Sequence, residues 1–153
     1  MIHRCYNLNI TELPLSGNAI QDSFKVFMAD TGLFISLLDE GTQFDILHGK
    51  LYGYKGAIYE NIVADILGKM GRKLYYFHKT DGIEIDFVFR YKGECTPLEC
   101  KARTGNAKSL NTLLKHPEKY HVNSAIKVGD YNVGRAGSVL TIPLYMGFLL
   151  TPF

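Results

Sequence analysis

The segment IEIDFVFRY at residues 83–91 alternates without a break, Ile83, Ile85, Phe87, Phe89 and Tyr91 against Glu84, Asp86, Val88 and Arg90. A period of two belongs to a half-buried β-strand. TPLECKA at 96–102 repeats the pattern, with Leu98, Cys100 and Ala102 on one face and Glu99, Lys101 and Arg103 on the other. Only Lys92 and Gly93 fill a tight turn between them, so the two strands are expected to form an antiparallel hairpin. If those two residues are the whole loop, paired residue numbers sum to a constant. Asp86 then opposes Glu99, and Glu84 opposes Lys101. Lysine suits a type I′ turn poorly, and Pro97 needs a bulge or a place without a ladder hydrogen bond. A one-residue bulge, which would shift the pairing, is the alternative.

Directly opposed residues have Cβ atoms about 4.5–5.5 Å apart, and two bare carboxylates at that spacing repel. A cation would relieve the repulsion. Oxygen-only ligands favour Mg²⁺ or Mn²⁺ over zinc, and Mg²⁺ keeps several waters while taking one or two carboxylates. Such an ion can activate water and stabilise charge on a phosphoryl oxygen. Lys101, two positions along the same face from Glu99, could orient the attacking water or hold a phosphate. The competing structural account is a cross-strand ion pair between Glu84 and Lys101, worth at most about 1 kcal/mol.

Around the hairpin the chain reads as mixed α/β. The sequence FKVFMADTGLFISLLDEG suggests a short strand running into a helix capped by Asp30 or Thr31 and stopped at Gly41. Residues 52–70 carry Tyr59, Ile62, Val63, Ile66, Leu67 and Met70 at three- and four-residue spacings, an amphipathic helix ended by Gly71. Glu60 falls about 100° from the centre of that stripe, on its flank. There it could reach a cleft beside small neighbours, or it is an ordinary solvated glutamate. KLYYFHK at 73–79 and SAIKV at 124–128 read as strands, and residues 108–115 as a helix ending at or before Pro117. TIPLYMGFLL is open between a terminal helix and a short strand. Loops are expected at 11–19, 40–45 and 129–138.

A chain of 153 residues suits a single domain. Its net charge of +2 is too small to announce a nucleic-acid partner, but the distribution is uneven. Residues 1–89 hold 8 Lys and Arg against 11 Asp and Glu, whereas residues 90–153 hold 9 against 4. The basic half contains Glu99 and Lys101; scattered solvated charge explains this as well as a phosphate-binding face does. Cys5, Cys95 and Cys100 lack CxxC spacing, which argues against a disulfide framework or a thiolate zinc site and favours a reducing, cytoplasmic setting. His78, His116 and His121 match no compact metal motif. Cys100 points away from its two site neighbours and reads as a buried thiol. No segment has the length and apolarity of a signal peptide or membrane span.

IEID followed by LECK resembles the D…ExK core of the PD-(D/E)XK restriction-endonuclease-like superfamily, with Glu60 in the place of the first-helix acid. More narrowly, FKVFMADTGLF, GAIYENIVADIL, EIDFVF, LECKA and TIPLYMGFLL look like the C-terminal nuclease-like domain of predicted prokaryotic AAA+ ATPases. The resemblance spans residues 24–153. It implies a restriction-endonuclease-like mixed central sheet flanked by helices, with Glu60, Asp86 and Glu99 as ligands of Mg²⁺ or Mn²⁺ and Lys101 as the catalytic lysine. Arg103 and Lys108 are looser candidates for contact with nucleic-acid backbone.

No GxxxxGK[ST] loop is present, so the ATPase module of the longer relatives is absent from this sequence. On that reading residues 1–23 are a remnant of, or linker to, an upstream module. The expected activity is metal-dependent hydrolysis of DNA or RNA phosphodiesters, DNA favoured, by a monomer or by a homodimer cutting both strands. The alternative is an inactive nuclease-fold module that binds nucleic acid or a partner protein.

Overall fold

The computed structural model describes residues 1–101 and 107–151. They build a mixed α/β architecture of two mixed sheets with helices packed on both sides. The first sheet has the order β2-β1-β3-β4, from β1 (Ile2–Leu8), β2 (Ala19–Met28), β3 (Leu74–His78) and β4 (Glu84–Ile85). The second has the order β5-β6-β7-β9-β8, from β5 (Phe87–Tyr91), β6 (Glu94–Lys101), β7 (Ala125–Gly129), β8 (Gly134–Ala136) and β9 (Val139–Pro143). Asp86 alone separates β4 from β5, so the chain crosses from one sheet to the other at a candidate site residue.

The hairpin has the register its turn implies. Tyr91 pairs with Glu94 and Phe87 with Leu98, with no shift, and Lys92 and Gly93 have φ of 50° and 85°. Both turn residues therefore adopt the left-handed conformation that a type I′ loop demands, even though one is a lysine. Pro97 pairs opposite Val88 without a bulge, and the parallel partner β7 engages β6 only from Leu98 onward.

The strict alternation of 83–91 does not keep one face. Phe87 and Phe89 enter a core with Cys5, Val63, Leu67 and Ile126, whereas Ile83, Ile85 and Val88 enter a second core with Leu110, Leu113 and Tyr120. The phase slips at Asp86, where β4 leaves the hairpin to pair with β3.

Helix α1 (Thr31–Ser36) is capped by Asp30, whose Oδ1 accepts the Leu33 N–H at 2.8 Å. It stops well before Gly41. That glycine, at φ 86°, instead precedes a second short helix, α2 (Thr42–Leu47), where a loop was expected. Helix α3 (Lys55–Lys69) closes with Gly71 at φ 75° and packs Val63, Ala64 and Leu67 into the first core. Helix α4 (Lys108–Lys115) has the expected bounds and buries Leu110 and Leu113 in the second, followed by α5 (Pro117–Tyr120). The ambiguous TIPLYMGFLL resolves into both alternatives in succession, the end of β9 and then a 3₁₀ turn at Leu144–Leu149. The loop expected at 129–138 contains β8.

Residues 1–23 supply β1 and the start of β2. β1 is an interior strand between β2 and β3, with Cys5 and Leu8 almost fully buried, so this segment is part of the sheet and not a linker beside it.

One buried amide ties these layers together. Asn61 on α3 accepts the Met28 N–H at 2.9 Å and donates to the Met28 carbonyl and the Thr31 hydroxyl, each at 3.1 Å. Asn61→Ala would strand the Met28 groups without partners. The expected cost is about 2–3 kcal/mol, read as a lower denaturant midpoint at unchanged slope.

Candidate functional site

Glu99 lies inside β6, flanked by β5 and β7, and is only 6% exposed. Alternation sends Leu98 and Cys100 toward α3, so Glu99 and Lys101 project toward the face that carries α4. One Glu99 oxygen, Oε1, forms an ion pair with the Lys101 ammonium. The other, Oε2, is buried with no hydrogen-bond partner among the described residues. A buried carboxylate oxygen in that condition is costly unless something else satisfies it.

Asp86 stands next along the register, one step beyond the last pair of the hairpin ladder, Phe87 with Leu98. Its Oδ2 accepts the Cys100 N–H at 2.7 Å. The carboxylate thus takes a backbone donor that Ile85 would meet if the hairpin continued, and Ile85 is free to pair with Phe77 on β3. The break in the strand and the placement of Asp86 have one cause.

Burial lifts the Asp86 carboxyl to about 7, and the charges of Glu60 and Glu99 push the same way against the Cys100 hydrogen bond and Lys25. Burial also raises Glu60, which stands with Ala57 and Asn61 on α3 at the wall of an apolar cavity of about 430 Å³ formed with Val26, Phe34 and Leu37. Lys25 and Lys101 oppose that rise. For Lys101 burial acts downward, but the Glu99 hydrogen bond and the Asp86 charge outweigh it, and the ammonium stays protonated through neutral pH. It is suited to holding an anion and unsuited to removing a proton.

Asp86 and Lys101 therefore feel each other's charge and those of both Glu60 and Glu99. Among the described residues no three of His, Cys, Asp and Glu gather tightly enough to hold a metal ion. The proposed Glu84–Lys101 pair does not form: Glu84 bonds Lys25 at 2.7 Å, and Lys101 turns to Glu99 on its own strand. Lys108 begins α4 and is exposed, whereas Arg103 lies outside the described residues. Burial raises the Cys100 thiol well above its ordinary range, as expected of a structural thiol and not of a nucleophile.

Sequence reasoning missed three neighbours. Lys127 is the β7 partner of Glu99, with its Nζ 5.1 Å from the Tyr131 ring, and a lone lysine in the apolar run SAIKV was a visible signal. Tyr131 has a buried hydroxyl without a hydrogen-bond partner among the described residues and feels both Lys101 and Glu99. Lys25 is the third, and only β2 folding beside β1 brings it to Glu84, Glu60 and Asp86. No local pattern marks it.

No helix among the described residues is long and apolar enough to cross a membrane. Neither a curated protein nor a solved structure matches the chain. The sequence profile of a family described as "Domain of unknown function (DUF4143)" matches residues 55–145. That stretch is more than half the chain and contains Glu60 on α3, Asp86 between β4 and β5, and Glu99 and Lys101 on β6. By that match the chain belongs to the DUF4143 family.

Proposed function

We propose that this chain carries a metal-dependent nuclease domain of the PD-(D/E)XK kind, hydrolysing DNA or RNA phosphodiesters, and that in longer relatives it works beside an AAA+ ATPase module. The observation that carries the reading is Glu99: a buried carboxylate with one oxygen on Lys101 and the other without a partner, set beside an Asp86 whose own charge is disfavoured. A small divalent cation that keeps most of its waters asks for one or two carboxylates, so Asp86 and Glu99 fit Mg²⁺ or Mn²⁺ without a third acid. Glu60, the third acid that the resemblance implies, forms no tight three-acid group with them. When bound, such an ion lowers the pKa of water and stabilises charge on a phosphoryl oxygen.

The protein's own groups divide the remaining work. Asp86 is held by the Cys100 N–H, which fixes the direction of its free oxygen. Lys101, protonated, binds a phosphate oxygen or orients water. Glu99 aligns Lys101 through their ion pair.

The test is nicking of single- and double-stranded DNA with Mg²⁺ or Mn²⁺ by the native chain, Asp86→Ala and Lys101→Ala. Loss of roughly a hundredfold or more in each variant is the expected result. Equal activity in all three would assign the cleavage to a contaminant.

A second reading, a nuclease-fold module that binds nucleic acid or a partner protein without cutting, draws on one observation: no tight three-acid group forms among the described residues. Binding with no metal-dependent cleavage by the native chain would select it.

A further inference from the structure

Two adjoining cavities lie on the α4 side of the first sheet, about 410 and 320 Å³, sharing Asp81, Lys119 and Tyr120 in their walls. The larger is bounded by Lys108, Ser109, Thr112, His116 and Lys119, and the smaller adds Lys79. Lys108 and Thr112 are four apart, one turn of α4, on the side away from the buried Leu110, and His116 follows at the end of the helix. From Lys108 to Lys115 the helix covers about 10 Å at 1.5 Å per residue, about three base-pair steps along a duplex axis at about 3.4 Å each.

The cations here are partly held in place. Lys79 lies 5.6 Å from the Phe77 ring centroid and Lys119 lies 5.0 Å from that of Tyr120. Both rings belong to buried residues, so the ammonium groups rest on a fixed apolar floor. Ser109 Oγ accepts the Glu84 N–H at 3.2 Å, which leaves its hydroxyl proton to donate outward. The acids on this rim are Asp81 and Glu118, the latter 3.4 Å from His116 Nδ1. Against them stand Lys79, Lys108 and Lys119.

The trough also runs toward the candidate site. Ile83 lines its wall, Glu84 is bonded to Ser109, and Asp86 follows two residues later. A polyanion lying along α4 would approach Asp86 at one end.

We propose that this trough binds the phosphate backbone of a nucleic acid, with Lys108, Lys119 and Lys79 contacting successive phosphates and the Ser109 hydroxyl donating to one of them. The proposal rests on the nucleic-acid reading above but does not require that the site cleave. It adds Lys79, Ser109 and Lys119, which the sequence reading left out, to Lys108.

The experiment measures the affinity of the full chain for labelled single- and double-stranded oligonucleotides at several KCl concentrations, without divalent metal. Lys108→Ala combined with Lys119→Ala should lower the slope of log K against log salt by about 1.5 to 2, as loss of two phosphate contacts predicts. Asp81→Asn should tighten binding about two- to fivefold by removing an opposing charge.

An unchanged slope in the folded double variant would overturn the proposal. So would an equal loss from Lys50→Ala with Lys92→Ala, which would mean diffuse charge alone. Polyglutamate competing as well as DNA would do the same, by making the trough a general polyanion surface. If binding behaves as expected and no nicking occurs, the catalytic reading falls and the trough stands. If nicking occurs and the trough variants bind normally, the reverse holds.

Discussion

Asp86→Asn should make the protein more stable at pH 8 while removing the metal-dependent cleavage proposed for it. The carboxyl is lifted from 3.8 to about 7 by burial and by the charges of Glu60 and Glu99. Between those two values the folded state holds a proton that the unfolded chain has released, so stability falls as pH rises through this window. Below about pH 4 both states are protonated and the penalty is absent; above about pH 7 it is complete. The size is about 4 kcal/mol at most, at 1.36 kcal/mol per pH unit. Asparagine keeps an oxygen to accept the Cys100 N–H at 2.7 Å but carries no charge.

The difference in melting temperature between native and variant should therefore be small at pH 4 and reach up to about 8–16 °C at pH 8, given 2–4 °C per kcal/mol for a chain of this size. Other carboxylates cancel in that difference because both proteins share them. Added Mg²⁺ should narrow the gap at pH 8 by binding the native chain alone. A variant that melts like the native protein at both pH values would show that Asp86 is ionised without penalty, and the electrostatic case for a cation beside it would go with that result. Greater stability together with lost cleavage is what a functional carboxylate held at a cost should give.

The second large effect concerns a glycine with an unremarkable backbone angle. Gly129 ends β7 and pairs with Lys101 at the last rung of the β6–β7 ladder. A Cβ built there would overlap the Lys101 carbonyl oxygen and come within 3.0 Å of Tyr131 Cε2. The carbonyl is main chain, so it can yield only if the rung opens. Gly129→Ala should cost about 3 kcal/mol, about 6–12 °C in melting temperature, and should displace the residue that carries the candidate catalytic lysine. Gly56→Ala is the natural control. Its Cβ would meet nothing within 4 Å inside α3, and the change should stabilise by up to about 1 kcal/mol. Two variants with the same melting temperature would mean that the close approach at Gly129 does not constrain Lys101.

Several features were legible because they are local. The register of the β5–β6 hairpin follows from counting across two turn residues, and the count holds down to Phe87 with Leu98. The bounds of α4 and the stop of α3 at Gly71 follow from period and from a left-handed glycine. The place of Glu60 on the flank of α3 follows from its angle to the helix stripe, but the angle left open whether it is solvated or, as the structure has it, half-buried beside an apolar cavity.

What failed did so for reasons outside any local window. Alternation in 83–91 promised one continuous face, but β3 competes for the first half of that strand, and the backbone slips phase at Asp86 to serve both partners. The Glu84–Lys101 pair failed because β4 leaves the hairpin to pair with β3 and β2 brings Lys25 within 2.7 Å of Glu84. The segment 1–23 carried no motif, and only pairing with β2 and β3 makes β1 an interior strand.

By itself, then, the sequence determined the mixed α/β class, the hairpin, the main helices and the order of Glu60, Asp86, Glu99 and Lys101. These rest on period, turn chemistry and strand alternation, each readable within a few residues. The tertiary structure decided which charges face one another: Lys101 with Glu99, Lys25 with Glu84, and Lys127 alongside Glu99. Those choices depend on contacts between segments distant in the chain and on burial, which sets how strongly each charge is felt.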